Sequence, residues 1–121
     1  MRLALTPDRY APVRYAGASG DFTPFHLDPG LARQLGLPGV ILHGLYTYAL
    51  LARAIVEGRG GDPRVLRRLS GSFRRPAVPE SELVAEAWDA GLGEAGTMLA
   101  GRVMQDGRAV LSGAIAHVRP K

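Results

Sequence analysis

Hydrophobic and polar positions divide the chain at about residue 62 into a helical half and a strand half. Residues 2–5 make a brief strand pattern, after which Thr6, Pro7 and Asp8 offer an N-cap, a first-turn proline and a first-turn acid for a helix over about 7–18. Ser19 to Pro24 ends that helix, because Gly20 is flexible and Pro24 disfavours helical geometry at Thr23. Asp28-Pro29-Gly30 predicts a second short helix to about Leu35, closed by Gly36 and Pro38-Gly39. From His43 to Glu57 apolar residues occupy nearly every face, with Arg53 the first charge after His43, and such a pattern predicts a buried helix. Downstream, residues 64–77, 82–90, 97–105 and 109–118 show frequent two-residue alternation, for example Val84, Glu86 and Trp88 against Leu83, Ala85 and Ala87. Pro76 and Pro79 end the first of these strands, and Asp106-Gly107 between the last two is a strong hairpin signal. Helices followed by antiparallel strands predict an α+β domain whose sheet wraps the buried helix.

Composition narrows this picture. At 121 residues the chain is expected to form one domain over residues 1–121, and its 46% hydrophobic content is that of a folded globule. Sixteen glycines and nine prolines are scattered singly between apolar runs, which makes them turn punctuation and not a repeat. There is no cysteine, so disulfides, thiol nucleophiles and thiolate metal sites are excluded, and a reducing cytoplasm is the compartment that fits. The first residues contain no apolar segment of signal-peptide length, so export is not expected. The longest apolar stretch, Val40 to Ala52, is too short to span a bilayer, and no membrane partner is expected.

The net charge of +4, with fourteen arginines among fifteen basic residues, raises the question of polyanionic partners. Only Arg64, Arg67, Arg68, Arg74 and Arg75 cluster, around the single Phe73, without the interleaved aromatics that stack on bases. Nucleic acid is therefore not an expected partner. Gly91 to Gly96 matches G-x-G-x-x-G letter by letter, but a dinucleotide site needs a helix and a further strand after it, and a glycine-rich hairpin loop is the better reading. His26, His43 and His117 are separated by 17 and 74 residues, which fits no compact ligand motif, so no metal is expected. His117, in the last strand, is expected to be structural or at the surface.

Two features can carry chemistry. Asp21 and His26 lie five residues apart on a segment that Pro24 keeps from regular helix, and such a loop can aim a carboxylate and an imidazole at one water. Two such residues in an apolar-rich loop are more often a capping or structural pair than a catalytic one. The second feature is the start of the long helix, Val40-Ile41-Leu42-His43-Gly44-Leu45. Unpaired N–H groups there stabilise developing negative charge, and a glycine lets a carbonyl approach closely. Gly44 could also serve only close packing.

The run from Tyr15 through Ser19-Gly20-Asp21-Phe22-Thr23-Pro24-Phe25-His26 to Pro29, with Ala32 and then Val40-Ile41-Leu42-His43-Gly44-Leu45, resembles the MaoC-like hydratases and dehydratases. Their signature reads roughly Tyr-x-x-x-Ser-Gly-Asp-x-Asn-Pro-x-His, with His-Gly about 17 residues on. The likeness is close over about residues 6–57 and looser beyond, through Phe73, Pro76 and Pro79. It implies a hot-dog fold and interconversion of trans-2-enoyl and (3R)-3-hydroxyacyl thioesters of CoA or an acyl carrier protein. Asp21 and His26 would activate water, while Gly44, with His43 and Thr23, would belong to the oxyanion and substrate-binding side. It also implies no cofactor, and assembly as at least a homodimer, or as a heterodimer with a second hot-dog subunit. Two departures stand out: Thr23 replaces the usual Asn in a chain with no Asn at all, and the N-terminus is shorter than is typical. Thr23 is expected to make a short side-chain to backbone bond. Arg74 and Arg75 would suit CoA phosphates or an acidic carrier, or merely protect an edge strand. A non-catalytic acyl-thioester-binding subunit and a thioesterase of the same fold are the alternatives.

Overall fold

The computed structural model describes residues 1–93 and 96–120. Their order is β1 (Arg2–Leu5), α1 (Ala11–Ser19), a 3-10 turn (Pro24–His26), α2 (Pro29–Gln34) and α3 (Gly44–Gly58). A second 3-10 turn (Pro63–Val65) follows, then β2 (Leu66–Phe73), β3 (Leu83–Gly93), β4 (Gly96–Gln105) and β5 (Arg108–Val118). All neighbouring strands are antiparallel, in the order β1-β3-β4-β5-β2. Asp106 and Gly107 both have positive φ, 51° and 73°, which is what a two-residue turn of matching twist requires between β4 and β5.

The alternation in β3 becomes its two faces. Leu83, Ala85 and Ala87 are buried beneath α3, while Val84, Glu86 and Trp88 point outward, with Trp88 largely exposed. From α3, Leu50, Leu51, Ala54 and Ile55 enter the same core, which continues through Leu99 and Val103 in β4 and Leu111, Ala114, Ala116 and Val118 in β5. Small residues let the helix lie close to the strands. A Cβ at Gly101 would stand 2.9 Å from the Glu86 carbonyl oxygen and 3.1 Å from Leu51 Cδ1, so no larger residue fits there without displacement.

Several boundaries differ from expectation for identifiable reasons. α1 starts at Ala11 and not at Pro7, since a helix from Pro7 would place Pro12 in its interior, where it lacks an N–H to donate. Residues 6–8 are instead held elsewhere: the Pro7 carbonyl accepts from Glu80 N, and Asp8 accepts from the backbone of Tyr10 at 2.8 Å. α3 is buried on one side only. Leu45, Ala49, Arg53 and Glu57 form an exposed stripe along it, marked by the Arg53–Glu57 ion pair at 2.8 Å. β2 runs over Leu66–Phe73 and not 64–77; its start is later because Asp62 caps Arg64 N and winds residues 63–65 into a 3-10 turn. The glycine-rich run carries β3 to Gly93 and opens β4 at Gly96, with those two glycines paired; its remaining Glu94 and Ala95 lie outside the described residues.

Because Leu51 is wholly buried between α3 and the sheet, Leu51→Ala is expected to lower the unfolding free energy by about 2–5 kcal/mol in urea denaturation. A loss under about 1 kcal/mol would show that the sheet does not rest on this helix.

Candidate active site

The chain from Gly20 to His43 folds back so that the loop after α1 meets the start of α3. Gly20 closes α1 in the left-handed region at φ 81°, and Ser19 Oγ then accepts from Asp21 N. The 3-10 turn over Pro24–His26 swings His26 inward, where it is 6% exposed. α2 is capped by the Asp28 carboxylate, which accepts from Gly30 N and Leu31 N. An extended strap then leads into α3: Ile41 N donates to Phe25 O and Leu42 N to Ala77 O at 2.8 Å.

These bonds fix the protonation pattern of the two histidines. His26 Nδ1 lies 2.8 Å from the Ile41 carbonyl oxygen. A carbonyl only accepts, so Nδ1 carries the hydrogen and Nε2 of the neutral ring is bare. That bare nitrogen stands 3.9 Å from Asp21 Oδ2. The other carboxylate oxygen, Oδ1, accepts twice from Thr23, from its hydroxyl at 2.6 Å and from its backbone N–H at 3.1 Å. The Thr23 hydroxyl thus bonds the Asp21 side chain and not the backbone. His43, the N-cap of α3, donates Nε2–H to the Asp21 carbonyl at 2.9 Å, and its ring stacks on His26 with centroids 3.8 Å apart and planes 16° apart.

The two members of the pair are tuned by different causes. The Thr23 hydroxyl, reinforced by the Thr23 amide, holds the half-exposed Asp21 carboxyl below its ordinary value. Burial holds the His26 imidazole below 6.5, only partly offset by its bond to Ile41. At neutral pH the site therefore holds a carboxylate facing a neutral imidazole whose bare nitrogen points at it.

Beside this pair, directly after His43, α3 begins. Gly44 is its first residue, so its N–H has no partner within the helix, and no acidic residue in the first turn offsets the positive end of the dipole. The Phe73 ring covers Gly44 so closely that a Cβ there would meet it at 3.0 Å. A cavity of about 380 Å³ is lined by His26, His43, Gly44 and Phe73, with Arg74 and Arg75 at its rim. Arg74 bonds Ser112 Oγ through Nε at 2.7 Å, and Arg75 is exposed.

Spacing along the chain did not suggest a three-ligand cluster, yet the fold brings the ligand atoms of Asp21, His26 and His43 within 4.8 Å of one another. The set does not fit a metal ion. Stacked rings hold their lone pairs in two near-parallel planes instead of aiming them at one centre, and His26 Nδ1 and His43 Nε2 are committed to carbonyls. His117 is not part of the cluster; it lies half-buried in β5 opposite Arg68 and Met98.

A sheet wrapped on one long helix, with a carboxylate and an imidazole brought together beside that helix's N-terminus, defines a hot-dog domain. The chain belongs to the MaoC family: the family model described as "MaoC like domain" matches residues 2–106. It is 38% identical over 105 residues to the 3-hydroxyacyl-thioester dehydratase Y of Mycobacterium tuberculosis, covering 83% of this chain and 36% of that protein. It is 40% identical over 75 residues to the peroxisomal enoyl-CoA hydratase 2 of Arabidopsis thaliana, covering 61% of this chain and 24% of the other. The chain thus spans about a quarter to a third of these curated relatives. Among solved structures it is similar to the (R)-hydratase from A. caviae involved in PHA biosynthesis, with TM-score 0.87 and 25% identity over all of this chain and 93% of that one. No helix among the described residues is long and apolar enough to cross a membrane.

Removing the Thr23 hydroxyl in Thr23→Val is expected to raise the Asp21 carboxyl pKa towards its ordinary value, read by carboxyl ¹³C NMR titration, whereas Thr23→Ser should leave it low. An unchanged titration in the valine variant would show that the hydroxyl does not set it.

Proposed function

We propose that this domain adds water to C3 of trans-2-enoyl thioesters and, in reverse, dehydrates (3R)-3-hydroxyacyl thioesters. The observation that carries this reading is the 3.9 Å gap between Asp21 Oδ2 and the bare His26 Nε2 beside the N–H of Gly44, which has no partner within its helix. A water donating to both atoms at about 2.8 Å would subtend roughly 90° at its oxygen, close to its natural angle, and would present a lone pair outward. The names of the two curated relatives and of the A. caviae enzyme support the same chemistry.

The residues divide the work by their acidities. With Asp21 held low, His26 is the stronger base of the two, so Nε2 takes the proton as the water oxygen bonds to C3. The C2–C3 π electrons move towards the thioester oxygen, which Gly44 N–H receives as it gains negative charge. Asp21 stabilises the imidazolium, which then returns its proton to C2, so that one water has been added across the double bond and the domain is unchanged. Every group in this sequence belongs to the protein or the substrate, so the reading needs neither metal nor cofactor. Arg74 and Arg75, at the rim of the Gly44 cavity, suit the phosphates of CoA or of a carrier-bound pantetheine. The exposed α3 stripe and the open cavity suit a second hot-dog subunit, either a copy of this chain or a different one.

With crotonyl-CoA as substrate, loss of enoyl absorbance is expected for the wild type. Asp21→Asn and His26→Ala should each lower the rate by roughly a hundredfold or more. Wild-type rates in both variants would overturn the assignment, and release of free thiol from acyl-CoA without hydration would favour a thioesterase. An oligomer of this chain alone that is inactive, but active with a second hot-dog subunit, would make it the non-catalytic partner of a heteromer.

The pH dependence has a definite sign. Hydration needs neutral His26, and burial lowers its pKa, so the base form persists below pH 6.5. The hydration kcat/KM should therefore be flat near neutrality and fall only as pH drops through a value under 6.5. An acid limb centred above 6.5 would exclude His26 as the proton acceptor.

A further inference from the structure

His43 is the least explained residue of the site. Its side chain is 2% exposed at the N-cap of α3, yet it makes no capping bond to the helix. Its Nδ1 is buried without a protein partner, a condition that ordinarily costs about 1–3 kcal/mol and that an apolar ring would avoid. What a histidine supplies here and an apolar ring does not is the other nitrogen, whose hydrogen bonds the Asp21 carbonyl at 2.9 Å. The ring supplies the rest: one contact is the His26 stack at 3.8 Å, and Tyr15 packs on His43 at 4.7 Å, itself braced edge-on by Tyr46. Asp21 and His26 come from a loop with little burial of its own, and both are anchored to this single imidazole.

We propose that His43 is a positioning residue that sets the gap between Asp21 Oδ2 and His26 Nε2, holding the Asp21 backbone by its Nε2–H and the His26 ring by its face. The proposal rests on the water-adding reading above and extends it to a side chain that touches neither water nor thioester in that scheme. Because the two reacting groups meet their water across 3.9 Å, a drift of the Asp21 backbone by about 1 Å carries the gap past the roughly 4.4 Å that one water spans at its natural angle. Misplacement of about 1 Å in an active site can cost a hundredfold in rate.

Steady-state kinetics on crotonyl-CoA with two full-length variants test this. His43→Phe keeps a flat ring against His26 but has no donor for Asp21; it is expected to lower kcat about tenfold or more while KM stays within about threefold. His43→Gln places an amide N–H near the former Nε2 and should recover at least threefold of that loss. The proposal is overturned if His43→Phe keeps wild-type kcat, if His43→Gln falls as far as His43→Phe, or if the loss lies in KM instead of kcat. Should either variant fail to fold, ¹⁵N-edited NMR of the wild type at pH 8 decides, since His43 must be the Nε2–H tautomer with bare Nδ1; the opposite tautomer overturns the proposal. Wild-type protein without activity on crotonyl-CoA would count against the water-adding reading, and the tautomer measurement would still test the bond to Asp21.

Discussion

Ile41 ties the two halves of the site together. Its N–H reaches the Phe25 carbonyl, and its own carbonyl takes the hydrogen of His26 Nδ1. The loop that carries Asp21 and His26 has no core of its own: Phe22 is 60% exposed, and Asp21 and Thr23 lie at or near the surface. Its geometry is borrowed through this strap from α3, and α3 is held by Leu50, Leu51, Ala54 and Ile55 in the sheet. Each such hydrogen bond contributes only about 0.5–1.5 kcal/mol net, but losing one would leave a buried imidazole nitrogen unpaired. The order of dependence therefore runs from sheet to helix, from helix to strap, and from strap to the imidazole.

Electrostatics then separates two groups that would otherwise compete. Both Asp21 and His26 are pushed towards lower pKa, Asp21 by hydrogen bonds to its charged form and His26 by loss of solvent. The shift on Asp21 thus runs away from the imidazole's range and not towards it. In the proposed reaction the carboxylate stays charged and the imidazole is the group that exchanges the proton. The bare N-terminus of α3 adds a site of opposite sign a short way off, which suits a reaction that moves negative charge from the water oxygen to a carbonyl oxygen.

Where a local rule decided the structure, the sequence was readable. Asp106-Gly107 had to turn, Pro24 had to keep Asp21 and His26 off one regular α-helix, and alternation in β3 had to put Leu83, Ala85 and Ala87 on one face. The start of α1 departs from the cap signal at Thr6 because Pro12, six residues further on, does not fit a helix interior. The all-apolar look of α3 concealed a solvent stripe, since Leu45 and Ala49 do not announce exposure as charges do. Least legible was the pairing of His26 with His43. Their separation of 17 residues argues against a compact motif, and only the return of the chain through α2 and the strap stacks them.

Position 23 shows how such a site tolerates an unusual residue. What Asp21 needs there is donation to Oδ1, so that Oδ2 is left free to face His26. The backbone N–H of any residue but proline supplies one donor, and the hydroxyl supplies a second at 2.6 Å. An asparagine amide would donate as well, but its extra acceptor has no task beside a carboxylate. Threonine is β-branched and stiff at χ1, so its hydroxyl is held on Oδ1 at small entropic cost.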